Sequence, residues 1–399
     1  MSRLGPLDDP APGGPDTEGP SGDDPVTMSP QGLGRRWASL TPLLVLAYAL
    51  LCAVLIGGIV MLLTGANPLA AYGALVRGAV GSPARIAASL ARSTPFIGAS
   101  IAIAFAFKAG LFNIGVEGQL LIGALFAGWA GTWDWVGAMP AIIAIPVVLV
   151  MGALGGALYG GFPGYLKAKT GAHEVIVTIM LNTIALRLLE WLVLSRDPVI
   201  LLDTSSSVPH SRPIADVARL PFLPGGASTR LHWGLALGVV MCAAMWFIMQ
   251  RTTTGFEIKT VGLNPSAATY AGMSVPGTWI LVMAVSGAFA GLAGAAEVSG
   301  AVGFIQPGVF RNIGFDSIAI ALLARANPWA VIPAAILWGS LLSGAPLMQL
   351  QADLSIDLVR IVQALILLFV AADLIVRRVF RIGDDDGEPR TALATGWGG

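Results

Sequence analysis

Long apolar runs recur through most of this 399-residue chain, and they constrain its fold more than any other feature. Hydrophobic residues make up 55% of the sequence and charged residues only 12%, whereas soluble domains carry roughly 25% charged residues. Lipid offers the backbone no hydrogen-bond partners, so helix-length apolar runs predict an all-α integral membrane protein surrounded by membrane lipid. The formal net charge of zero argues against a nucleic-acid partner.

Ten apolar runs are predicted to cross the membrane, some of them as broken helices. In chain order they cover residues 41–63, 94–107, 119–131, 139–165, 173–194, 231–249, 279–298, 315–323, 329–348 and 356–375. Several are shorter than the roughly 20 residues that a straight span needs, so these are predicted to be interrupted or to continue into polar flanks. Arg35 and Arg36 precede the first run, and Arg377 and Arg378 follow the last. Because basic residues beside a span favour the cytoplasm, both termini are predicted to be cytoplasmic.

The remaining sequence divides into two tails and one long loop. Residues 1–38 are rich in Pro, Gly and Asp and are predicted to form a disordered cytoplasmic tail, since they have little apolar surface to bury. Residues 39–378 are predicted to form the membrane domain, and residues 379–399 a cytoplasmic C-terminal tail. The loop over residues 195–230 contains five prolines and should lie outside the cell. It is either a plain connector or a surface on which an extracytoplasmic partner lands.

Two places interrupt the apolar pattern with glycine and a carboxylate. The first lies within residues 108–123, and the second is the Gly-Phe-Asp sequence at 314–316. Paired interruptions in the two halves of a transporter are a sequence signal for a translocation pathway. We therefore predict that four residues line or shape such a pathway: Asn113, Glu117, Gln119 and Asp316. The alternative is that these side chains only satisfy the broken backbone nearby.

Other charges in the apolar runs are interpreted as structural. Arg187 and Glu190 are three residues apart, as are Asp357 and Arg360, so each pair is predicted to interact on one helix face. Glu297 ends its predicted span near the outer face and is interpreted as solvated there.

A short helix is predicted inside the polar segment 250–273. Asn264 is an N-cap residue, Pro265 suits the first helical position, and Gly272 is a natural C-terminal stop. This helix is either an inconsequential loop helix or a contact for a cytoplasmic partner. The sequence has no GxxxxGK[ST] phosphate loop with which to bind ATP itself.

Five segments resemble nucleoside-type ABC importer permeases, in the branch that includes ribose and branched-chain amino-acid permeases. In order they are residues 112–119 (FNIGVEGQ), 174–182 (EVIVTIMLN), 261–265 (VGLNP), 286–294 (SGAFAGLAG) and 314–319 (GFDSIA). The departure from the pattern is Lys259-Thr260, where the family has an arginine followed by a small apolar residue.

The resemblance implies a ten-span permease of the bacterial inner membrane with both ends inside. It implies that the short helix is a coupling helix that docks into an ATP-binding subunit, with these key residues: Gly262, Asn264, Pro265, Ala267, Ala268 and Gly272. ATP and Mg would bind to that partner, and this chain would hold no cofactor.

The resemblance also implies nucleoside cargo delivered by an extracytoplasmic substrate-binding lipoprotein. A second permease subunit would complete the pore, with a heterodimer favoured over a homodimer.

We consider three alternative functions for this chain. An ion-coupled secondary transporter would use the same carboxylates and need no partner. An ABC permease for a simple sugar such as ribose would share the motifs. An intramembrane enzyme is disfavoured because the chain has three histidines and no HExxH motif, and no metal site is predicted.

Overall fold

The computed structural model describes residues 41–308, 310, 312–352 and 357–371, and within these ranges it contains helices and no strand. The helices are α1 (Thr41–Leu63), α2 (Pro68–Val80), α3 (Pro83–Phe107), α4 (Val116–Gly131), α5 (Asp134–Gly137), α6 (Ala141–Thr170), α7 (Glu174–Leu194), α8 (Gly234–Arg251), α9 (Thr253–Leu263), α10 (Pro265–Tyr270), α11 (Val275–Glu297), α12 (Ile313–Leu323), α13 (Pro328–Ala352) and α14 (Asp357–Ala371). The all-α prediction is confirmed.

Six of the described helices are long and apolar enough to cross a membrane: α3, α6, α7, α8, α11 and α13. The predicted count of ten spans stays a prediction. The predicted tails, residues 1–38 and 379–399, lie outside the described residues.

Three helices were not predicted from the sequence: α2, α5 and α9. Helix α2 begins where the Asn67 side chain accepts hydrogen bonds from the backbone N–H groups of Leu69 and Ala70, at 3.0 and 3.3 Å. Helix α9 begins where the Thr252 hydroxyl accepts one from Gly255, at 3.1 Å. None of the three helices is long enough to span a membrane alone, so a search for long apolar runs passes over all of them.

Glycine contacts join α4, α6 and α11 in the centre of the bundle. A Cβ atom added to Gly156 would overlap the carbonyl oxygen of Gly287, and one added to Gly287 would overlap that of Gly156. A Cβ atom added to Gly123 would overlap the backbone of Gly291. Small residues let membrane helices approach backbone to backbone, which explains the glycines at these positions.

The segment between α7 and α8 covers one end of the bundle, here called the loop end. Its backbone donates three hydrogen bonds to the segment after α11: Ser211 to Ile305 and Ile214 to Gly303, both 2.9 Å, and Leu220 to Ser299, 3.0 Å. The loop is therefore packed onto the bundle, and a landing function for it stays a prediction. Helices α9 and α10 lie at the other end, here called the α10 end.

Candidate functional site

The first interruption, between α3 and α4, is organised by the buried side chain of Asn113. Its Nδ2 donates to Gln119 Oε1 (2.9 Å) and to Ser286 Oγ (2.8 Å). Its Oδ1 accepts from the Gly115 N–H and from Gln119 Nε2, both at 3.0 Å. Because Ser286 belongs to α11, this network fixes the non-helical segment to a neighbouring span.

Asn182 of α7 satisfies the same segment from the other side. Its amide donates to the carbonyl of Ile114 at 2.9 Å and accepts from the N–H of Gly118 at 2.8 Å. Asn182 was not among the predicted site residues. The signal that could have found it is an asparagine within an apolar run, since a polar side chain there needs a partner.

The two interruptions meet at Glu117. Its carboxylate accepts the N–H of Asn312 at 2.7 Å and that of Gly314 at 2.6 Å, so it caps the N-terminus of α12. A Cβ atom on Gly314 would lie only 2.5 Å from the Glu117 Cα, so only glycine allows this approach. A carboxylate there satisfies free helical N–H groups and complements the helix dipole.

The interruptions enter the bundle from opposite ends. The first follows Lys108, whose backbone lies against Gly262 at the α10 end. The second follows Gly303, whose carbonyl oxygen accepts a hydrogen bond from Ile214 at the loop end. Half-helices that enter from both sides and meet inside are the arrangement that places a transport site within the membrane.

A cavity of about 520 Å³ lies beside this meeting point, among α3, α11, α12, α13 and α14. Six polar residues line it: Arg92, Glu297, Asn312, Asp316, Arg360 and Gln363. Three aromatic residues complete much of the wall: Phe96, Phe315 and Trp338. Its size falls within the range of small-molecule sites.

The four residues predicted to shape the pathway separate into two groups. Asp316 lines the cavity. Asn113, Glu117 and Gln119 instead hold the interruptions together, as the alternative interpretation expected, and Glu117 reaches the cavity only through the backbone of Asn312. A direct pathway role for these three stays a prediction.

The interpretation of Glu297 as a solvated residue is wrong. Its Oε2 is buried and has no hydrogen-bond partner among the described residues. The reason is that the end of α11 faces the cavity among α3, α12, α13 and α14, where the sequence suggested open solvent. The other two predictions are confirmed, because Arg187 pairs with Glu190 at 2.7 Å and Arg360 with Asp357 at 3.2 Å.

The short helix α10 forms as predicted at the far end of the bundle. Asn264 Oδ1 accepts from the N–H of Ala267 at 3.0 Å, and Gly272 ends the turn with φ +80°. Ala268 packs against Val261 and Val275, whereas Tyr270 is 93% exposed. One face of α10 therefore packs against α9 and α11, and the opposite face is exposed.

Backbone contact joins α9, which leads directly into α10, to the first interruption. A Cβ atom on Gly262 would overlap the carbonyl oxygen of Lys108 and lie 2.9 Å from the carbonyl carbon of Ala109. Burial, and then the charge of Lys259 on α9, lower the pKa of Lys108. The α9–α10 unit and residues 108–110 therefore pack as neighbours.

Comparison with known proteins identifies the family. Residues 85–371 match the permease family described as the branched-chain amino acid transport system permease component. The chain belongs to this permease family. It is therefore a multi-pass membrane transport subunit rather than an enzyme. No solved structure matches it.

Several curated relatives match over most of their length. The guanosine ABC transporter permease protein NupP of Bacillus subtilis is 40% identical over 343 residues, covering 85% of this chain and 96% of that protein. The nucleoside ABC transporter permease protein NupB of Lactococcus lactis is 36% identical, covering 84% and 92%. The glucose ABC transporter permease protein TsgB13 of Haloferax volcanii is 34% identical, covering 93% and 98%. A second B. subtilis guanosine permease protein, NupQ, is 23% identical, covering 64% and 79%.

Proposed function

We propose that this chain forms the translocation pathway for nucleosides in an ABC importer and is driven by a separate ATP-binding subunit. The observation that carries the proposal is the placement of α10. One of its faces is anchored, the other is exposed, and the adjoining Gly262 contacts the first interruption, whose Glu117 binds the backbone of the cavity residue Asn312. Such a helix gives a partner a mechanical connection to the transport site.

A two-permease pore is part of the proposal. The cavity is open on the side of Phe315 and Arg360, which are exposed in the single chain. A second permease subunit would close that side. We favour a heterodimer because this chain matches both NupP and NupQ, and it matches NupP far more closely.

Cell location and the remaining partners complete the proposal. The α10 end and both termini lie in the cytoplasm, the loop end faces outward, and the membrane is a bacterial inner membrane. An extracytoplasmic lipoprotein delivers the nucleoside, and ATP and Mg bind only to the partner ATPase.

A simple sugar is the alternative cargo, because TsgB13 is a glucose permease protein. Two aromatic side chains of the cavity, Phe315 and Trp338, favour the nucleoside because its base has a flat face to stack on. Uptake of labelled nucleosides, ribose and glucose by a deletion strain complemented with this chain separates the two. Uptake of sugar without nucleoside would overturn the nucleoside proposal.

The exposed face of α10 is tested with Tyr270→Ala. Tyr270 is 93% exposed, so its removal should leave the permease folded. We expect recovery of the ATP-binding subunit with the tagged permease to fall about tenfold, as for an exposed aromatic anchor in an interface. Nucleoside uptake should fall with it.

Leu350→Ala is the matched control, because Leu350 is 81% exposed on α13. This variant should retain both uptake and the ATP-binding subunit. Full retention of the ATPase and of uptake by Tyr270→Ala would contradict docking at α10.

A further inference from the structure

Three residues that line the cavity, Glu297, Trp338 and Gln363, each have a buried polar side-chain atom with no hydrogen-bond partner among the described residues. For Glu297 this atom is the acceptor Oε2, and for Gln363 it is the donor Nε2. Gln363 is only 4% exposed. An unpaired buried donor or acceptor is costly, so native proteins rarely leave one without a water or ligand. Here one wall offers a free acceptor and another a free donor.

The charges around the cavity favour a neutral ligand. Among the described residues that line it, Glu297 and Asp316 contribute two carboxylates and Arg92 and Arg360 two guanidinium groups, so their formal charges cancel. A phosphate group would gain no net attraction, and neither would a cation. A neutral solute with hydrogen-bonding groups suits this lining.

Two residues of the cavity lining lie at helix ends beside the second interruption. Glu297 is the last residue of α11, immediately before the π-helical turn Val298–Val302 and the second interruption. Asn312, the backbone partner of Glu117, lies on the same cavity wall. A ligand in this cavity therefore contacts the segments whose movement would open or close the pathway.

We propose that this cavity binds the transported solute and that Glu297 is its specificity-determining residue. The Glu297 carboxylate accepts hydrogen bonds from a donor group of a neutral nucleoside, either a base N–H or a ribose hydroxyl. The Gln363 amide donates to an acceptor on the same molecule, and the aromatic wall packs on the base. The inference rests on the proposed nucleoside function.

The test combines uptake with ligand-dependent stability in Glu297→Gln. Glutamine keeps the shape but turns one acceptor into a donor, so nucleoside uptake should fall about tenfold or more, as when a site built for a hydrogen bond loses it. The empty importer should be as thermally stable as the wild type or more so, because a buried carboxylate oxygen without a hydrogen-bond partner among the described residues becomes part of a neutral amide. Millimolar guanosine should raise the thermal stability of the purified wild-type importer and not that of the variant.

A second variant and a control complete the design. Gln363→Met removes the donor and should also abolish protection by guanosine. Glu190→Gln makes the same chemical change in the exposed ion pair with Arg187 and should leave uptake and protection intact. Competition by free ribose and by the free base identifies which half of the nucleoside supplies the donor.

The failures are distinguishable. If the wild type imports nucleosides and Glu297→Gln matches Glu190→Gln in uptake and protection, the cavity assignment is overturned and the importer proposal stands. Reduced stability of the empty Glu297→Gln importer, with protection by guanosine retained, assigns Glu297 a structural role instead. If the wild type imports no nucleoside, the proposed function itself fails.

Discussion

Replacing Glu117 by alanine is expected to abolish most uptake and to lower the thermal stability of the purified importer. The carboxylate accepts the part-buried backbone N–H of Asn312 and the buried N–H of Gly314, at 2.7 and 2.6 Å. Hydrogen bonds to charged groups contribute about 1.5–3 kcal/mol each, so losing both should cost about 3 kcal/mol or more. The N-terminus of α12 would lose its cap, and Asp316 would shift with it.

Glu117→Gln should have uptake and thermal stability between those of the wild type and Glu117→Ala. One acceptor oxygen remains, but the new amide group faces a backbone donor. Glu190→Ala is the control, since its ion pair with Arg187 is exposed and such pairs contribute about 0–1 kcal/mol. Thermal unfolding in detergent and uptake of labelled nucleoside are the measurements. If Glu117→Ala equals Glu190→Ala in both, the capping role assigned to Glu117 is wrong.

Gly262→Ala is expected to uncouple ATP hydrolysis from transport. The added Cβ would overlap the carbonyl oxygen of Lys108, so α9 and the first interruption must separate. The exposed face of α10 is untouched, and the ATP-binding subunit should still co-purify and hydrolyse ATP. Uptake should fall about tenfold or more, a loss of at least 1.4 kcal/mol of coupling.

Gly161→Ala provides the matched glycine control. Its new Cβ would meet the Ala284 Cβ at 3.5 Å, which is ordinary contact. Uptake and ATP hydrolysis should both stay near the wild-type values. Full uptake by Gly262→Ala would show that force does not pass through this backbone contact.

Local sequence signals predicted the parts of the fold that depend on neighbouring residues. The Asn264–Pro265 pair fixes the start of α10, and the predicted end at Gly272 agrees with its φ of +80°. The same cap signal precedes α2, at Asn67–Pro68, and was missed because that helix is too short to read as a span. Each of these helix starts and ends is determined by a few neighbouring residues.

Contacts between residues far apart in the chain could not be predicted from the sequence. Glu117 was identified as unusual, but its partners are Asn312 and Gly314, almost two hundred positions away. Glu297 was misassigned because the helices that surround it in the cavity come from distant parts of the chain. Its neighbours in the cavity, Arg92 and Gln363, come from opposite ends of the described chain.

Transport in proteoliposomes tests most directly whether this subunit is a gate that another protein powers. The two permease subunits and the ATP-binding subunit are reconstituted together, and the lipoprotein is added outside with labelled nucleoside. We predict accumulation that requires ATP inside the vesicles and disappears when the ATP-binding subunit is omitted. Accumulation by this chain alone, driven by a proton or sodium gradient, would contradict the account.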